Sequence, residues 1–510
     1  MIISLSVLVI TIIVSGTYAL YKAQLSKNIG VNTTTHGLAY YINYVKGTDI
    51  TAATLNPSTS YEGGASSDIE FWKKDDSYDI YGKIELTVNT IGTNLSNSPA
   101  LKYAVVNNGN VLKEGSLKGT TSGSKVTILK NLYLEQTKQI YTVYVWLDNS
   151  EELGNISNES LSISVDCTAS LQKEPTAADT IISLYTSAAK VTATNNSITY
   201  NTAPSVSLMN DRLGGTTTDL DDGNIRYYGA SPNNYIYFNC SDYSNQTSST
   251  CETWRIIGVF DGKLKLIRGS QIGKYSWDNK NISTGAEDDR GKNDWTTARL
   301  MKLLNPDDYY INDNNDKDSE GNYLGYSLYY NSASGMCFTD EGVNYSACDF
   351  TSTGIKNDET RNMIAETTYN LGGWNDTGVY PNEIYEYERG TTVYTGRPTT
   401  WTGKIALAYP SDYGYAADLN QCKQTLANYD NSTCTSNNWM KAIITDNGSN
   451  HGWLLTPDSS YSFGAWYSHG NVGEYFTGAA RGAVPVLSLS SKLGIESGDG
   501  SSSNPYKLSA

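Results

Sequence analysis

Alternation of apolar and polar residues is the feature that most restricts the fold of this chain. Between residues 26 and 170 it recurs in short runs such as "YGKIELTVNTIG", "SGSKVTILKNLYL" and "KQIYTVYVWLDN". In the stretch 141–147 the odd-numbered residues face one side of a strand and the even-numbered residues the other. The run "NNGN" at 107–110 predicts a hairpin turn, because Asn-Gly tolerates positive φ. Strands spaced by turns predict an all-β sandwich domain over residues 26–170.

The first 21 residues carry no charge, and Lys22 is the first basic residue. A helix of that length spans about 30 Å, roughly the hydrocarbon thickness of a bilayer. Three fates are open for residues 1–25: a transmembrane helix, a signal peptide cleaved after Ala19, or a helix in a filament core. The start lacks the basic residue of a signal peptide, and Leu5 replaces the acidic residue that common type IV pilins carry there. Export is expected, with the chain secreted or attached to a membrane or to copies of itself.

The charge balance restricts the partners of the chain. With 37 basic and 53 acidic residues, the formal net charge is -16, whereas nucleic acids and anionic lipids require clusters of Lys and Arg. We therefore expect no nucleic-acid partner. The 40 Tyr and 45 Gly residues favour a turn-rich, β-leaning chain. A length of 510 residues predicts two or three domains.

Six of the seven cysteines fall into three close pairs. No CxxC motif occurs and no His lies at zinc-ligand spacing, which favours disulfides in an oxidising, extracellular compartment. Each short loop so closed stabilises the fold by roughly 2–3 kcal/mol. Cys167 is left over, and we expect it to be buried and reduced, with an intermolecular bridge as the alternative. The predicted disulfides, with separations of 11, 11 and 12 residues, are Cys240–Cys251, Cys337–Cys348 and Cys422–Cys434.

The second half of the chain has a mixed pattern. Residues 171–225 are linker-like, although the run "EPTAADTIISLYTSAAK" has helical spacing after Pro175. From about residue 226 to 510 we predict an α+β head domain, in which "WRIIGVFDGKLKLIRG" forms two strands around an Asp261-Gly262 turn. Three helices are predicted there, one capped by Asp294, one capped by Asp358 and ended at Gly372-Gly373, and one starting in "SDYGYAADL".

Ordered motifs run through the head domain. They are "NNYIYFNC", "WRIIGVFDGKLKLIR", a helix ending in "LMKLLN", "GRPTTWTGKIALAYPSDYGYA", "WLLTP" at 453–457 and "NPYKLS" at 504–509. This pattern resembles a family of exported domains of unknown function in Gram-positive gut bacteria. One departure is the run "RGAVPVLSL" at 481–489, where members of that family usually read "GVRPVLYL". This chain therefore lacks the Arg that directly precedes Pro in that family, and Arg481 lies three residues before the position of that Arg.

Two further resemblances concern the fold. The run "SGTYAL" followed by a β-sandwich is similar to the TasA/camelysin group of secreted matrix and fibre proteins. The order of elements after residue 226 resembles, more distantly, the formylglycine-generating-enzyme and C-type-lectin-like folds. These folds imply a compact α+β domain whose long loops present a ligand site. The redox-active cysteine pair of that enzyme is not recognisable here, so its catalysis is not implied.

No motif in the sequence indicates catalysis. Neither G-x-S-x-G nor a P-loop occurs, and the three histidines, His36, His451 and His469, show no triad or metal spacing. The two late histidines lie in turn-like runs and are expected in solvent. The glutamates of "NEIYEYE" at 382–388 could pair as a glycosidase acid and nucleophile, but we read them as a solvated acidic face. The chain is therefore predicted not to be an enzyme.

One acidic loop is a candidate calcium site. The run "DNNDKDSEGN" at 313–322 places Asp316, Asp318 and Glu320 at alternate positions before Gly321. A hard cation needs several oxygen ligands, and glycine permits the tight turn that lets them converge. Counting from Asp316, however, position 12 is Ser327 instead of the Glu of an EF-hand. The alternative is an acidic loop without metal.

Aromatic residues in the late segment predict a ligand site. Flat rings stack on the apolar faces of sugars, while carboxylates and amides take the hydroxyl groups. Tyr409 and Trp466 are expected to be exposed, whereas Trp401 and Trp453 are expected in the core. The predicted ligand-binding residues are Tyr409, Asp412, Tyr413, Trp466 and Tyr467.

Together these patterns predict a multidomain chain, with an N-terminal apolar helix, an all-β sandwich and an α+β C-type-lectin-like or formylglycine-generating-enzyme-like head. The expected function is non-enzymatic adhesion or ligand binding at a bacterial cell surface, with a glycan or a host or bacterial surface protein as partner. The alternative is a structural subunit of an extracellular filament, pilin-like or TasA-like. A secreted hydrolase is the third reading.

Overall fold

The computed structural model describes residues 23–24, 41–51, 55–151, 153–156, 159–212, 223–279, 290–312, 316–317, 320–338 and 345–509. The chain divides into two compact units, Met1–Glu174 and Pro175–Ala510. Most of the predicted apolar helix at 1–25 lies outside the described residues, and Ala23–Gln24 form a short strand instead of a helix end. Within the described ranges, no helix is both long enough and apolar enough to cross a membrane.

Within its described residues, the N-terminal unit is built from strands and one short α-helix. Its first sheet has the order β1-β11-β6-β9, with β3 also paired to β11, and its second has the order β2-β5-β10-β7-β8, with β4 paired to β10. These elements are β1 (Ala23–Gln24), β2 (Ile42–Val45), β3 (Ile50–Thr51), β4 (Pro57–Ser58), β5 (Ala65–Lys73), β6 (Tyr81–Ile91), α1 (Thr93–Asn97), β7 (Leu101–Asn107), β8 (Asn110–Ser116), β9 (Lys125–Tyr133), β10 (Ile140–Asp148) and β11 (Leu161–Ser170).

Alternation along the strands builds the core of this unit, as the sequence predicted. Residues of the two sheets, among them Ile69, Leu86, Val143 and Val165, are almost fully buried and pack into one cluster. The predicted hairpin joins β7 to β8 with Asn108 at φ 49° and Gly109 at φ 78°. A β-sandwich is therefore confirmed for the N-terminal unit, because each sheet buries one face against the other.

The C-terminal unit contains more strands and seven short helices within its described residues. Its strands are β12 (Val191–Asn195), β13 (Ile198–Ala203), β14 (Leu208–Asn210), β15 (Ile225–Tyr227), β16 (Tyr235–Phe238), β17 (Glu252–Phe260), β18 (Lys263–Arg268), β19 (Lys274–Ser276), β20 (Ser334–Phe338), β21 (Tyr345–Asp349), β22 (Thr367–Asn370), β23 (Thr400–Gly403), β24 (Ile405–Ala406), β25 (Gly452–Pro457), β26 (Gly464–Ser468), β27 (Val472–Phe476), β28 (Ala480–Gly482), β29 (Val486–Ser488), β30 (Gly494–Ser497) and β31 (Lys507–Ser509). Its helices are α2 (Ala177–Ser187), α3 (Arg299–Leu304), α4 (Asp358–Met363), α5 (Pro381–Glu388), α6 (Pro410–Tyr415), α7 (Ser432–Ser436) and α8 (Lys441–Ile444).

Two sheets organise the C-terminal unit. The larger has the order β12-β13-β14-β15-β17-β18-β29-β24, with β16 paired to β17, and the smaller has the order β19-β28-β25-β26-β27. Around them four tryptophans with no more than 1% exposure fill the main core: Trp254, Trp277, Trp295 and Trp453. The turn between β17 and β18 has Asp261 at φ 48° and Gly262 at φ 69°, which confirms the predicted hairpin. The described chain as a whole is β-rich, with few helices.

The predicted linker at 171–225 is not a separate linker in the structure. Helix α2 begins there after the capping box of Thr176 and Asp179, which satisfies backbone donors at the first turn. Strands β12 to β14 follow and join the larger sheet. Ile181 and Tyr185 of α2 are buried in the core of the C-terminal unit. The segment from Pro175 onward therefore belongs to that unit.

Two predicted helices are shorter than the sequence indicates. Asp294 accepts hydrogen bonds from Thr296 and closes a turn, and α3 begins only at Arg299. Helix α4 is capped by Asn357 instead of Asp358, and it ends at Met363. The residues that follow form β22, which pairs with β23. Long-range strand pairing overrides the local helical preference, as it often does for short segments.

All three predicted disulfides are confirmed: Cys240–Cys251, Cys337–Cys348 and Cys422–Cys434. The remaining Cys167 is a free cysteine with no exposed surface, on β11 in the N-terminal core. Burial raises the pKa of its thiol well above the ordinary value, and Asp166 and Glu85 add to that effect. The disulfides indicate an oxidising, extracellular environment.

Candidate functional site

Three of the predicted ligand-binding residues are buried in the structure. Tyr409, Asp412 and Tyr413 are 4%, 1% and 1% exposed, so the expectation that Tyr409 is exposed is wrong. The reason is local: Pro410 begins α6, and the carboxylate of Asp412 turns back to accept the backbone N–H of Tyr409. Such a capping box directs the carboxylate toward the protein at the start of the helix.

Asp412 belongs to a buried network of charges. It accepts hydrogen bonds from Arg226 at 2.9 Å and from Lys265, and Arg226 also pairs with Asp211. Burial alone would raise the pKa of Asp412, but Lys265 and Arg226 hold it below its ordinary value. The Arg226 guanidinium also lies against the rings of Phe260, Tyr385 and Tyr415. With its charges paired inside the protein, this network fixes α6 against the larger sheet.

A cavity of about 210 Å³ lies beside this network. It is lined by Asp211, Asn382, Tyr385 and Tyr415, and by residues on either side of the segment 213–222, which is outside the described residues. The side-chain oxygen of Asn382 there is buried, and it has no hydrogen-bond partner among the described residues.

The glutamates of 382–388 do not form a solvated acidic face together. Glu383 accepts the backbone N–H of Tyr380 at the start of α5, and Glu386 is exposed. Glu388 has no exposed surface and accepts hydrogen bonds from the backbone N–H and the hydroxyl of Ser411. Burial raises the pKa of Glu388 to about 7, against the opposing effect of Arg389. Glu383 and Glu388 each have their own structural partner and Glu386 faces solvent, so the described contacts do not pair them for glycoside hydrolysis.

In the predicted calcium loop, the first predicted ligand, Asp316, has a structural role instead. Asp316 has no exposed surface, and its carboxylate pairs with Arg299 and with Lys302, the latter at 2.9 Å. Glu320 is exposed, and Asp318 lies outside the described residues. A carboxylate that neutralises two buried cations is not available to a metal ion in the same position. In the part of the chain that the structure describes, no three His, Cys, Asp or Glu side chains form a metal-binding group.

The late tryptophans all lie inside the protein. Trp401 and Trp453 are 7% and 0% exposed, as predicted, but Trp466 is also 0% exposed, so its predicted exposure is wrong. Its indole N–H donates to the backbone oxygen of Trp374 at 3.1 Å. The reason is the phase of β26, in which alternate residues face opposite sides. Trp466 faces the interior, and its neighbour Tyr467 faces the other side, where it is half-buried.

Tyr467 belongs to a group of residues that we call the Arg481 face. Three strands supply it, since Tyr467 lies on β26, Tyr475 on β27 and Arg481 on β28, and two turn residues complete it. The centre of the guanidinium lies 3.9 Å from the ring centre of Tyr467 and 4.3 Å from that of Tyr475. The residues of the Arg481 face are His451, Tyr467, His469, Tyr475 and Arg481.

The rings of this face form a continuous group. His451 stacks on Tyr467 with ring centres 5.3 Å apart and planes 10° apart, and it lies 4.6 Å from His469. Both histidines are exposed, as predicted, and Tyr475 is 42% exposed. Opposite Tyr467 in the neighbouring strand is Gly473, so the paired position of β27 places no side chain on this ring, although His451 and Arg481 lie against it. The face therefore presents a contiguous group of rings to solvent, whereas aromatic residues exposed singly are ordinary on protein surfaces.

The guanidinium of Arg481 has no acidic partner among the described ion pairs. The side chain is 9% exposed, its Nε is buried without a hydrogen-bond partner, and Nη1 contacts Nδ1 of His451. Burial and the charge of Arg481 lower the pKa of His451, so that its ring is neutral and Nδ1 accepts the hydrogen bond. Among the other buried arginines, Arg226, Arg268 and Arg299 each pair with a carboxylate, whereas Arg255 donates to Asn234 and to the backbone oxygen of Pro232.

No protein-family model matches the chain, and no curated protein matches it. Among solved structures, the binding domain of botulinum neurotoxin serotype C1 is similar with 8% identity and a TM-score of 0.16, over 52% of this chain and 77% of that one. A mutant of HCR/D is similar with 14% identity and a TM-score of 0.15, over 51% of this chain and 76% of that one. Similarity at these scores carries no argument about fold or function.

Proposed function

We propose that this chain is an extracellular ligand-binding protein that holds a sugar ligand at the Arg481 face without transforming it. The observation that carries this proposal is a buried guanidinium without a carboxylate, set between two tyrosine rings at a solvent-facing surface. The rings of Tyr467 and Tyr475 stack on the apolar face of a sugar. None of the five residues of the face is a carboxylate or a serine or cysteine nucleophile, which supports binding over hydrolysis.

The charge of the face favours an acidic sugar. Arg481 is joined there by the nearby ammonium group of Lys274, which acts electrostatically on His451. A guanidinium forms a charge-assisted hydrogen bond with a carboxylate, and such a bond is stronger than one between neutral groups. A carboxylated sugar would therefore supply the anion that the described protein residues do not. In a chain of net charge -16, such a positive patch also distinguishes one surface from the rest.

Attachment and head topology belong to the same proposal. Residues 1–25 would hold the chain at a membrane, or in a filament of copies of itself, and the sandwich would act as a stalk. The C-terminal unit would be a C-type-lectin-like head, which is supported by its two sheets, its few short helices and its disulfide-closed loops. Electron microscopy of native surface material tests attachment, because a filament subunit gives fibres and a membrane anchor gives none.

The decisive experiment for binding is a glycan array that includes neutral and carboxylated sugars. We expect the wild-type protein to bind carboxylated glycans. Tyr475→Ala should bind them at least about tenfold more weakly, which corresponds to a loss of about 1.4 kcal/mol in binding free energy. The matched control is Tyr345→Ala, since Tyr345 is 43% exposed on a different hairpin and Tyr475 is 42% exposed. Absence of wild-type signal on every glycan, or equal loss in both variants, would contradict the proposal.

A further inference from the structure

Asp458 is a buried carboxylate that the structure leaves incomplete. It follows β25 and has no exposed surface. Its Oδ1 accepts the backbone N–H groups of Ser460 at 2.5 Å and Tyr461 at 3.0 Å. Its Oδ2 is also buried, and no hydrogen-bond donor reaches it in the described part of the chain. A buried carboxylate oxygen without a partner is costly in free energy, so a positively charged or hydrogen-bonding group is expected beside it.

Glu474 faces Asp458 from the neighbouring strand. It is paired across β26 and β27 with Trp466, which puts it on the side of this ribbon opposite Tyr467 and Tyr475. Its carboxyl group is within hydrogen-bonding reach of the Asp458 carboxyl group. Gly464 lies on the same side of the ribbon as Glu474, and a Cβ there would lie 2.8 Å from the Cβ of Asp458. The glycine therefore leaves room for the Asp458 side chain on that side of the ribbon.

A third carboxylate adds negative charge to this place. Asp376 acts electrostatically on Glu474, and its Oδ1 is held by the backbone N–H of Gly378 at 2.8 Å. The adjoining Asn375 donates a hydrogen bond to the hydroxyl of Ser460 at 2.8 Å. This bond ties the segment around Asp376 to the loop that follows Asp458. Asp376 is therefore held near the pair formed by Asp458 and Glu474.

No protein cation neutralises these carboxylates within the described ranges. The other buried carboxylates described above, Asp211, Asp316 and Asp412, each pair with Arg or Lys, whereas Asp376, Asp458 and Glu474 form no such ion pair among the described residues. Two carboxylates in contact repel each other unless a positive species lies between them. Carboxylate oxygens are hard ligands, and a group of them that carries net negative charge favours a hard cation such as calcium.

We propose that Asp458 and Glu474 bind a divalent cation of the calcium type, with Asp376 contributing charge from farther away. The described residues supply no third carboxylate at ligand distance, so neutral oxygens such as the hydroxyl of Ser460, together with water, complete the coordination. A site with two carboxylate ligands belongs with the weak extracellular ones, with a Kd on the order of 10⁻⁴–10⁻³ M. Bound calcium would join the loop after β25 to β27.

The test uses the purified full chain, freed of metal with EDTA and titrated with CaCl₂ at about pH 7.5. Calorimetry should give a Kd within that range, and CaCl₂ at about 10 mM should raise Tm by about 2–4 °C. In Glu474→Gln we expect at least a tenfold weaker Kd and no rise of Tm. The matched control is Glu386→Gln, another exposed glutamate of the same unit, which should bind calcium like the wild type.

Two results would overturn the proposal. In the first, calcium gives the wild-type protein neither binding heat nor a change of Tm, and Tm rises instead when the pH is lowered through about 8. This result would mean that a proton shared by the two carboxyl groups takes the place of the cation. The other is calcium binding that Glu474→Gln leaves unchanged. Because Glu474 is exposed on an outer strand, this variant is expected to fold even where Asp458→Asn does not. Neither readout depends on sugar binding, so this test is independent of the proposed function.

Discussion

Nη1 of Arg226 donates a hydrogen bond to Oδ1 of Asp412 at 2.9 Å, although the two residues are 186 positions apart in the sequence. Both side chains are 1% exposed. The pair joins β15 to the first turn of α6, and Lys265 and Asp211 extend it to a network of four charges. Each charge lies beside one of opposite sign, which is the condition under which ions are tolerated in a protein interior.

Removal of Asp412 should therefore strongly destabilise the C-terminal unit. The change Asp412→Ala leaves Lys265 without its carboxylate partner and Arg226 with only Asp211. Breaking a buried ion pair from one side typically costs 3–5 kcal/mol, because an uncompensated charge remains in the interior. Urea unfolding followed by tryptophan fluorescence should show a loss of roughly 3–5 kcal/mol in the free energy of unfolding.

The control for this prediction is Asp358→Ala. Asp358 pairs with Arg361 at 3.4 Å, but its side chain is 82% exposed. Exposed ion pairs contribute about 0–1 kcal/mol. If both substitutions change the free energy of unfolding equally, the Arg226 network does not have the structural role described here.

Glu388 should make stability depend on pH. Its pKa is about 7 in the folded protein, raised from an ordinary value of 4.5 chiefly by burial. The folded state then holds a proton that the unfolded state releases, so the contribution of Glu388 to stability is fully present below about pH 4.5 and is lost as pH rises through 7. The contribution lost over this window is about 3 kcal/mol, from a slope of at most about 1.4 kcal/mol per pH unit.

The substitution Glu388→Gln isolates this effect. The amide oxygen can accept one of the two hydrogen bonds from Ser411, and the amide N–H₂ can donate to the Ser411 hydroxyl in place of the other, but the amide does not titrate. Unfolding measured at intervals between pH 4.5 and pH 8 should show that the wild type loses more stability than the variant, by about 3 kcal/mol. Parallel curves for the two proteins would show that Glu388 is ionised across this range.

The cysteines should give a distinctive count of reactive thiols. Six are paired in disulfides, and Cys167 is fully buried with a raised pKa. Only the thiolate reacts readily, so the folded protein should give no reaction with a thiol reagent. Unfolding in guanidinium without reductant should expose one thiol, and reduction should expose all seven. Three thiols in the unreduced, unfolded chain would mean that one disulfide is absent.

Trp466 should behave as a core residue. Its side chain is 0% exposed and packs in a cluster with Trp439 and Leu454. Trp466→Ala should lower the free energy of unfolding by roughly 3–5 kcal/mol, through lost burial and the cavity that remains. Tyr461→Ala is the control, since Tyr461 is 54% exposed, and it should change stability by about 0.5 kcal/mol or less. Equal effects of the two substitutions would show that Trp466 is not buried in solution.

Local features of this protein could be predicted where neighbouring residues decide them. The hairpin at Asn108-Gly109 depends on positive φ, and the three disulfides join cysteines 11 or 12 residues apart. Helix α2 carries its own cap at Thr176. By contrast, the predicted helix after Asp358 stops early because Thr367–Asn370 find a strand partner at Thr400–Gly403, more than thirty positions later.

The two candidate sites depend on strand register. The Arg481 face brings His451 and Arg481 together across 30 positions, and Asp458 meets Glu474 across the ribbon of β26 and β27. A shift of one residue in this ribbon would exchange Trp466 with Tyr467 and turn the wrong ring to solvent. The sequence marked both rings as candidates, but it could not show which of them faces outward.

By itself, then, the sequence determined the alternation that forms the sandwich, the disulfide pairs, the tight turns and the acidic charge, because each depends on residues close together in the chain. Only the tertiary structure decided that Tyr409, Asp412 and Trp466 are buried, that Asp316 pairs with Arg299 and Lys302, and that Arg481 lies between tyrosines. The physical reason is that burial and charge pairing depend on which distant segments meet. These long-range contacts follow from the packing of the whole unit, which a local sequence pattern does not specify.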